Sequence, residues 1–128
     1  MPEVAMVVDD SMLIRHTVCR FLEERGFVVE SACNGEEAMQ LLAAAVQPSI
    51  IITDMQMPKM TGSEFITALK SKPSTAAIPI IVLAGRQSGL AQEKESRAQY
   101  TIYKDIDIED QLQVALTATL GMARGTSA

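Results

Sequence analysis

The chain has 128 residues, 48% of them apolar and 21% charged, a size and balance that predict one compact domain with no tethered output domain. A net charge of −5 has the wrong sign for gripping a nucleic-acid backbone, so no direct nucleic-acid partner is expected. The opening MPEVAMVVDD has no basic leader and an apolar run too short for a signal peptide or a membrane span, which predicts a cytoplasmic protein.

Short runs rich in Val and Ile alternate with longer stretches of helical period, the pattern of parallel βαβ units. Strands are predicted at Val4 to Val8, Phe27 to Ala32, Ser49 to Thr53, Pro79 to Leu83 and Thr101 to Tyr103. Three of them are continuously apolar, as strands covered on both faces must be. The first helix should run from Ser11 to Arg25, facing inward with Leu13, Ile14, Thr17, Val18, Phe21 and Leu22, and Gly26 should end it. Cys19 and Cys33, two residues without metal-site spacing, read as small buried side chains in a reducing compartment. Asn34 and Glu37 resemble a capping box for the second helix, which buries Ala38, Leu41, Leu42 and Ala45. A third helix follows Gly62, with Phe65, Ile66 and Leu69 inward. The SKPSTAAIP connection reads as loop, and a poorly amphipathic fourth helical segment is expected from Ser88 to Ala98. The last helix should span Ile108 to Met122, with Asp107 as its N-cap and Leu112, Ala115, Leu116 and Leu120 inward.

In an open parallel sheet, ligands bind beyond the carboxyl ends of the strands. Asp9 and Asp10 follow the first strand, Asp54 the third and Lys104 the fifth. Singly, each has an ordinary explanation: the pair as helix caps, Asp54 as the start of a turn, Lys104 as a solvated charge. Together they would bring three carboxylates and one ammonium to one edge of the sheet. Carboxylates that close repel one another unless a cation joins them, and hard oxygen donors without His or Cys favour Mg²⁺ over zinc. A carboxylate beside Mg²⁺ and a Lys is suited to attack a phosphoryl group.

DDS after the first strand, DMQMPKMTG from Asp54 to Gly62 and YK at Lys104 together resemble the receiver domain of bacterial two-component response regulators, in particular the single-domain chemotaxis type. The resemblance spans nearly the whole chain. It implies an α/β fold, a flavodoxin-like doubly wound (βα)5 with a five-stranded parallel sheet in the order 2-1-3-4-5, over residues 1–123, followed by a short tail at 124–128. It implies Asp54 as phosphoacceptor, receiving its group from a phosphohistidine on a sensor histidine kinase or phosphotransfer protein, and a downstream protein target. Asp10, Asp54 and the backbone carbonyl of Gln56 would ligate Mg²⁺, with Asp9 acting largely through water. Lys104 would pair with the phosphoryl group and the Gly85 N–H would reach one of its oxygens, while Pro58 and Gly62 shape the loop. Arg86 is a possible further contact of the phosphoryl group; His16, mid-helix and away from the acids, reads as an ordinary surface residue.

Three positions depart from the family pattern. Relatives usually carry Thr or Ser at the end of the fourth strand, an aromatic three residues before the Lys, and Pro after it; here these read Ala84, Thr101 and Asp105. Asp9, Asp10, Asp54 and Lys104 together imply a phosphorylation-regulated signalling module rather than an enzyme, and the departures make a pseudo-receiver or phosphate sink the alternative. An aspartate-nucleophile phosphatase is disfavoured, because adjacent Asp9 and Asp10 alternate in direction where such enzymes need Asp-x-Asp. A flavodoxin-type cofactor protein is disfavoured because two acids in the first loop would repel its phosphate.

Overall fold

Ile50, Ile51 and Ile52 occupy consecutive strand positions and all three are fully buried, because their strand lies at the centre of a sheet covered on both faces. The computed structural model describes residues 3–44, 47–57, 59–84, 98–104 and 107–120. Strands β1 (Val4–Val8), β2 (Val28–Ala32), β3 (Ile50–Asp54), β4 (Ile80–Ala84) and β5 (Tyr100–Tyr103) pair in parallel in the order β2-β1-β3-β4-β5. Helices α1 (Met12–Glu23), α2 (Gly35–Ala43), α3 (Gly62–Lys70), a single turn α4 (Pro73–Ala76) and α5 (Ile108–Leu120) complete the described elements. The flavodoxin-like doubly wound architecture is as expected. The segment predicted as a helix from Ser88 to Ala98 lies outside the described residues up to Arg97, as do Met122 and the 124–128 tail.

The pleat sorts the strand side chains into two cores. Ala5, Val7, Ile50, Ile52, Ile81, Leu83 and Ile102 pack with Val18, Phe21 and Leu22 of α1 and Leu112, Ala115 and Leu116 of α5. Met6, Val8, Ile51, Ile80 and Val82 pack on the other side with Ala38, Phe65, Ile66 and Leu69. The parity matters for the site. Asp9, Asp54 and Lys104 continue the α1/α5 parity of their strands, whereas Ala84 continues the opposite one.

Helix starts follow side-chain capping. Ser11 Oγ accepts from the Ile14 N–H at 3.3 Å and Asn34 Oδ1 from the Glu37 N–H at 2.9 Å. The second cap differs from the expected box: the Glu37 carboxylate accepts from the Cys33 N–H at 2.7 Å, one residue before the cap, and that bond holds Glu37 below the usual carboxylate range. The reciprocal box occurs instead at α3. There the Thr61 N–H donates to Glu64 Oε1 at 2.9 Å and the Glu64 N–H to Thr61 Oγ1 at 3.1 Å. At α5 the Asp107 carbonyl accepts from the Gln111 N–H at 3.3 Å, as an N-cap carbonyl does.

Four further expectations are corrected. Leu13 is 72% exposed rather than inward, because one helical step of about 100° separates it from the Ile14, Val18, Phe21 and Leu22 stripe that meets the sheet. Cys33 is exposed and only Cys19 is partly buried; both are free, and burial followed by the nearby Glu23 carboxylate raises the Cys19 thiol pKa against the opposing pull of Arg15. The SKPSTAAIP connection contains α4. Proline opens its first turn, where a missing N–H costs nothing, and buried Thr75 donates its hydroxyl to the Leu69 carbonyl at 2.6 Å. Strand ends shift by one residue: β2 starts at Val28, β3 and β4 run one residue later than predicted, and β5 starts at Tyr100. Among the described residues no helix is long and apolar enough to cross a membrane.

Candidate phosphoryl-acceptor site

Asp9 is fixed through its backbone and its carboxylate. Its N–H donates to the Ala32 carbonyl of β2 at 3.1 Å, and its own carbonyl accepts from Arg15 Nη1 at 2.9 Å. The Ser11 N–H, at the start of α1, donates to Asp9 Oδ1 at 2.8 Å. Asp9 is completely buried, while the next residue, Asp10, is exposed on the turn between β1 and α1.

Asp54 ends β3 almost fully buried, and its Oδ1 accepts from the Gln56 N–H at 3.2 Å. The chain then folds tightly back: the Gly62 N–H donates to the Met55 carbonyl at 3.0 Å. A Cβ at Gly62 would run into the Asp54 carbonyl and lie 2.6 Å from Met55 Cα. Only glycine allows α3 to start this close to the backbone at the end of β3. Lys59, within this loop, takes a positive φ of 69°.

Lys104 follows β5, its N–H donating to the Ala84 carbonyl at 3.0 Å. Its Nζ stands 3.0 Å from Asp9 Oδ2 and 3.0 Å from Asp54 Oδ1. Burial alone would lower the Lys104 pKa, but the Asp9 hydrogen bond and the Asp54 charge more than offset it, and the net shift is upward. Asp54 moves the other way from an ordinary ion-paired acid. Burial first, then the Asp9 charge, push its pKa up to about 6 against the opposing pull of Lys104 and the Gln56 N–H.

Oxygens of Asp9, Asp10 and Asp54 lie within 4.8 Å of one another. One ammonium does not neutralise three carboxylates. Asp9 Oδ2 is buried, and among the described residues it has no partner besides the Lys104 ammonium. An all-oxygen donor set with an excess of negative charge and an unfilled buried lone pair fits a hard divalent cation such as Mg²⁺.

The four charged residues singled out from the sequence are thus brought together, and Gln56 sits beside them, exposed. Gly85, Arg86, Pro58 and Asp105 lie outside the described residues. His16 is exposed on α1. Arg15, which holds the Asp9 carbonyl, was not visible in the sequence; an Arg on a helix carries no motif, and only the turn of α1 shows where it reaches. Ala84, 8% exposed, ends β4 beside Tyr103 of β5, while Thr101 lies beside Val82.

Residues 5–116 match the response regulator receiver domain family. The chain belongs to this family. The receiver is 38% identical to a gliding motility regulatory protein of Myxococcus xanthus, over 72% of this chain but 11% of that protein. It is 31% identical to the chemotaxis response regulator CheY4 of Vibrio cholerae, with a TM-score of 0.79 over 92% of this chain and 99% of that one. The receiver domain of a sensor histidine kinase from Pseudomonas aeruginosa, crystallised with a magnesium ion in its active-site cleft, shares the fold at 18% identity, with a TM-score of 0.82 over 94% of this chain and 99% of that one. The chain spans 11% of that gliding motility protein and 56% of a two-component response regulator of Oryza sativa to which it is 32% identical. Receiver domains are signalling modules of two-component systems that interact with histidine kinases or phosphotransfer proteins.

Proposed function

We propose that this receiver accepts a phosphoryl group on Asp54 from the phosphohistidine of a sensor histidine kinase or phosphotransfer protein, and that it acts in the cytoplasm as a stand-alone module, with residues 1–123 as the domain and 124–128 as a tail, toward a downstream protein target. The observation that carries the reading is the Lys104 ammonium, 3.0 Å from both Asp9 Oδ2 and Asp54 Oδ1 at the carboxyl edge of the sheet.

Asp9, Asp10, Asp54 and the backbone carbonyl of Gln56 are the groups proposed to hold Mg²⁺, which would neutralise charge on the transferring oxygens when bound. Lys104 and the Gln56 N–H both engage Asp54 Oδ1, which leaves Oδ2 as the nucleophile. With a pKa of about 6, Asp54 is mostly ionised at pH 7 and ready to attack. As the Oδ2–P bond forms, the P–N bond to the donor imidazole breaks; its electron pair stays on the nitrogen, which takes a proton from solvent. The product is an aspartyl phosphate. Lys104 then pairs with a phosphoryl oxygen, and Gly85 is proposed to donate its N–H to another.

Treatment with acetyl phosphate and Mg²⁺, followed by intact-mass spectrometry, tests this. One phosphoryl group should be gained by the native chain and none by Asp54→Ala; equal gains in both would overturn the reading.

A second reading, a pseudo-receiver or phosphate sink with weak switching, is favoured by one observation. The last residue of β4 is Ala84, which has no hydroxyl to be drawn toward a phosphoryl oxygen, and Thr101 lacks the bulk to follow. Amide chemical shifts with and without a beryllofluoride mimic separate the two readings. Large changes across residues 100–116 would support a switching receiver, and changes confined to the acidic cluster a sink.

A further inference from the structure

β5 is an edge strand of four residues, and the outward-facing backbone groups of an edge strand have no ladder partner. At Tyr103 these groups are nevertheless both bound. The Tyr103 N–H donates to Gln111 Oε1 at 3.0 Å, and Gln111 Nε2 donates to the Tyr103 carbonyl at 2.8 Å. A carboxamide from the first part of α5 therefore occupies the place that a sixth strand would take. A carboxamide does this with one side chain without a change of protonation state, since it offers an acceptor and a donor side by side. Its orientation follows from the pairing, because the opposite assignment would set donor against donor.

The next residue is Lys104. Its N–H faces the other way and donates to the Ala84 carbonyl at 3.0 Å. The end of β5 is thus held from both sides, by β4 on the inside and Gln111 on the outside. From that root, a flexible four-carbon side chain must place its ammonium 3.0 Å from each of two carboxylates on other strands. The residue after the lysine is Asp105, not proline, so no ring fixes the backbone at that junction.

We propose that Gln111 is the positioning residue for Lys104: its two hydrogen bonds to the Tyr103 backbone fix the point from which the lysine reaches Asp9 and Asp54. The inference rests on the reading of Lys104 as the phosphoryl partner. Gln111 does not touch the reacting atoms. It acts through the backbone of one residue.

The test is a double-mutant cycle on the full chain, reading the rate of Asp54 modification by acetyl phosphate in Mg²⁺. Gln111→Leu should slow modification by on the order of tenfold or more, since a misplacement of about 1 Å can cost about a hundredfold. In a Lys104→Ala background the same substitution should add no further slowing. Gln111→Glu, which keeps the acceptor for the Tyr103 N–H and loses the donor, should fall between the native chain and Gln111→Leu. An equal slowing by Gln111→Leu in both backgrounds, or none in either, overturns the proposal. A second readout does not depend on phosphorylation: the Lys104 side-chain ammonium resonance, observed by ¹⁵N NMR, should be resolved in the native chain and broadened or lost in Gln111→Leu, while the Mg²⁺ dissociation constant measured by titration stays within about twofold. A native chain that acetyl phosphate fails to modify counts against the functional reading alone. An ammonium resonance unchanged in Gln111→Leu counts against Gln111.

Discussion

The carboxyl edge of the sheet has two halves built on different terms. At the β1/β3 half, Asp9 and Asp54 are buried, and hydrogen bonds from Ser11, Arg15 and Gln56 hold them through backbone and carboxylate. At the β4/β5 half the strands end in Ala84 and Tyr103, and the only charge among the described residues there is Lys104, which reaches across to the first half. The first half concentrates electrostatic cost, and Ala84, the last residue of β4, offers no hydroxyl that could respond when that cost is relieved. On the proposed reading, phosphoryl acceptance draws on the first half and any readout on the second, so the two can be tested separately.

The sharpest break in this contrast is removal of the proposed nucleophile. Asp54→Asn should abolish modification by acetyl phosphate, as seen by intact mass, while the sheet stays folded by circular dichroism. Lys104→Ala comes next. Taking away a charge aimed at a transferring group typically costs about a hundredfold or more in rate, and single-turnover kinetics should show a loss of that order with Mg²⁺ binding retained. Mg²⁺ binding lost together with the rate would mean that Lys104 organises the first half rather than bridging to it.

A structural prediction follows from the tight return at Gly62. Gly62→Ala should destabilise the chain by about 1–3 kcal/mol in urea unfolding, because a methyl group there meets the Asp54 carbonyl and Met55 Cα, backbone atoms that cannot rotate away.

The electrostatic cost of the first half also makes stability depend on pH. The folded-state pKa of Asp54, about 6, is raised above the ordinary value of 3.8, so between these values the native state binds more protons than the unfolded chain. The stability of metal-free protein should therefore fall as pH rises from about 4 to about 6 and stay reduced above it, by on the order of 1–3 kcal/mol. Denaturant titrations in a chelator at pH 5 and pH 7 measure this. Asp54→Asn should flatten the profile, and Mg²⁺ should restore stability at pH 7.

The smallest expected effect belongs to the second half. Beryllofluoride should change amide shifts of residues 100–116 only slightly in the native chain, and Ala84→Thr should enlarge them. A hydrogen bond to a charged group contributes about 1.5–3 kcal/mol, comparable to the coupling energies of allosteric switches. Unchanged shifts in Ala84→Thr would move the deficit to Thr101 alone.

The strands and the charged residues beyond them were legible in the sequence for a simple reason. Runs such as Ile50 to Ile52 admit only a doubly covered strand, and acids immediately after such runs must emerge at one edge. α1, α2, α3 and α5 were legible from their period and from the Ser11 and Asn34 caps. Leu13 was misplaced because periodicity gives the direction of a stripe but not its width, which the packed neighbours decide. α4 was missed because a four-residue helix has no period to read. The convergence of Asp9, Asp54 and Lys104 needed the strand order, since residues from the first, third and fifth strands meet only when β1 and β3 are neighbours and a long side chain spans β4. Arg15 and Gln111 belong wholly to the tertiary structure. An arginine that holds a carbonyl six residues back, and a glutamine that holds both backbone groups of a strand residue eight back, obey no local rule. Sequence determines which groups are available and where along each element they stand; which backbone polar groups are left without a partner, and so which side chain must serve them, is known only when the elements have packed.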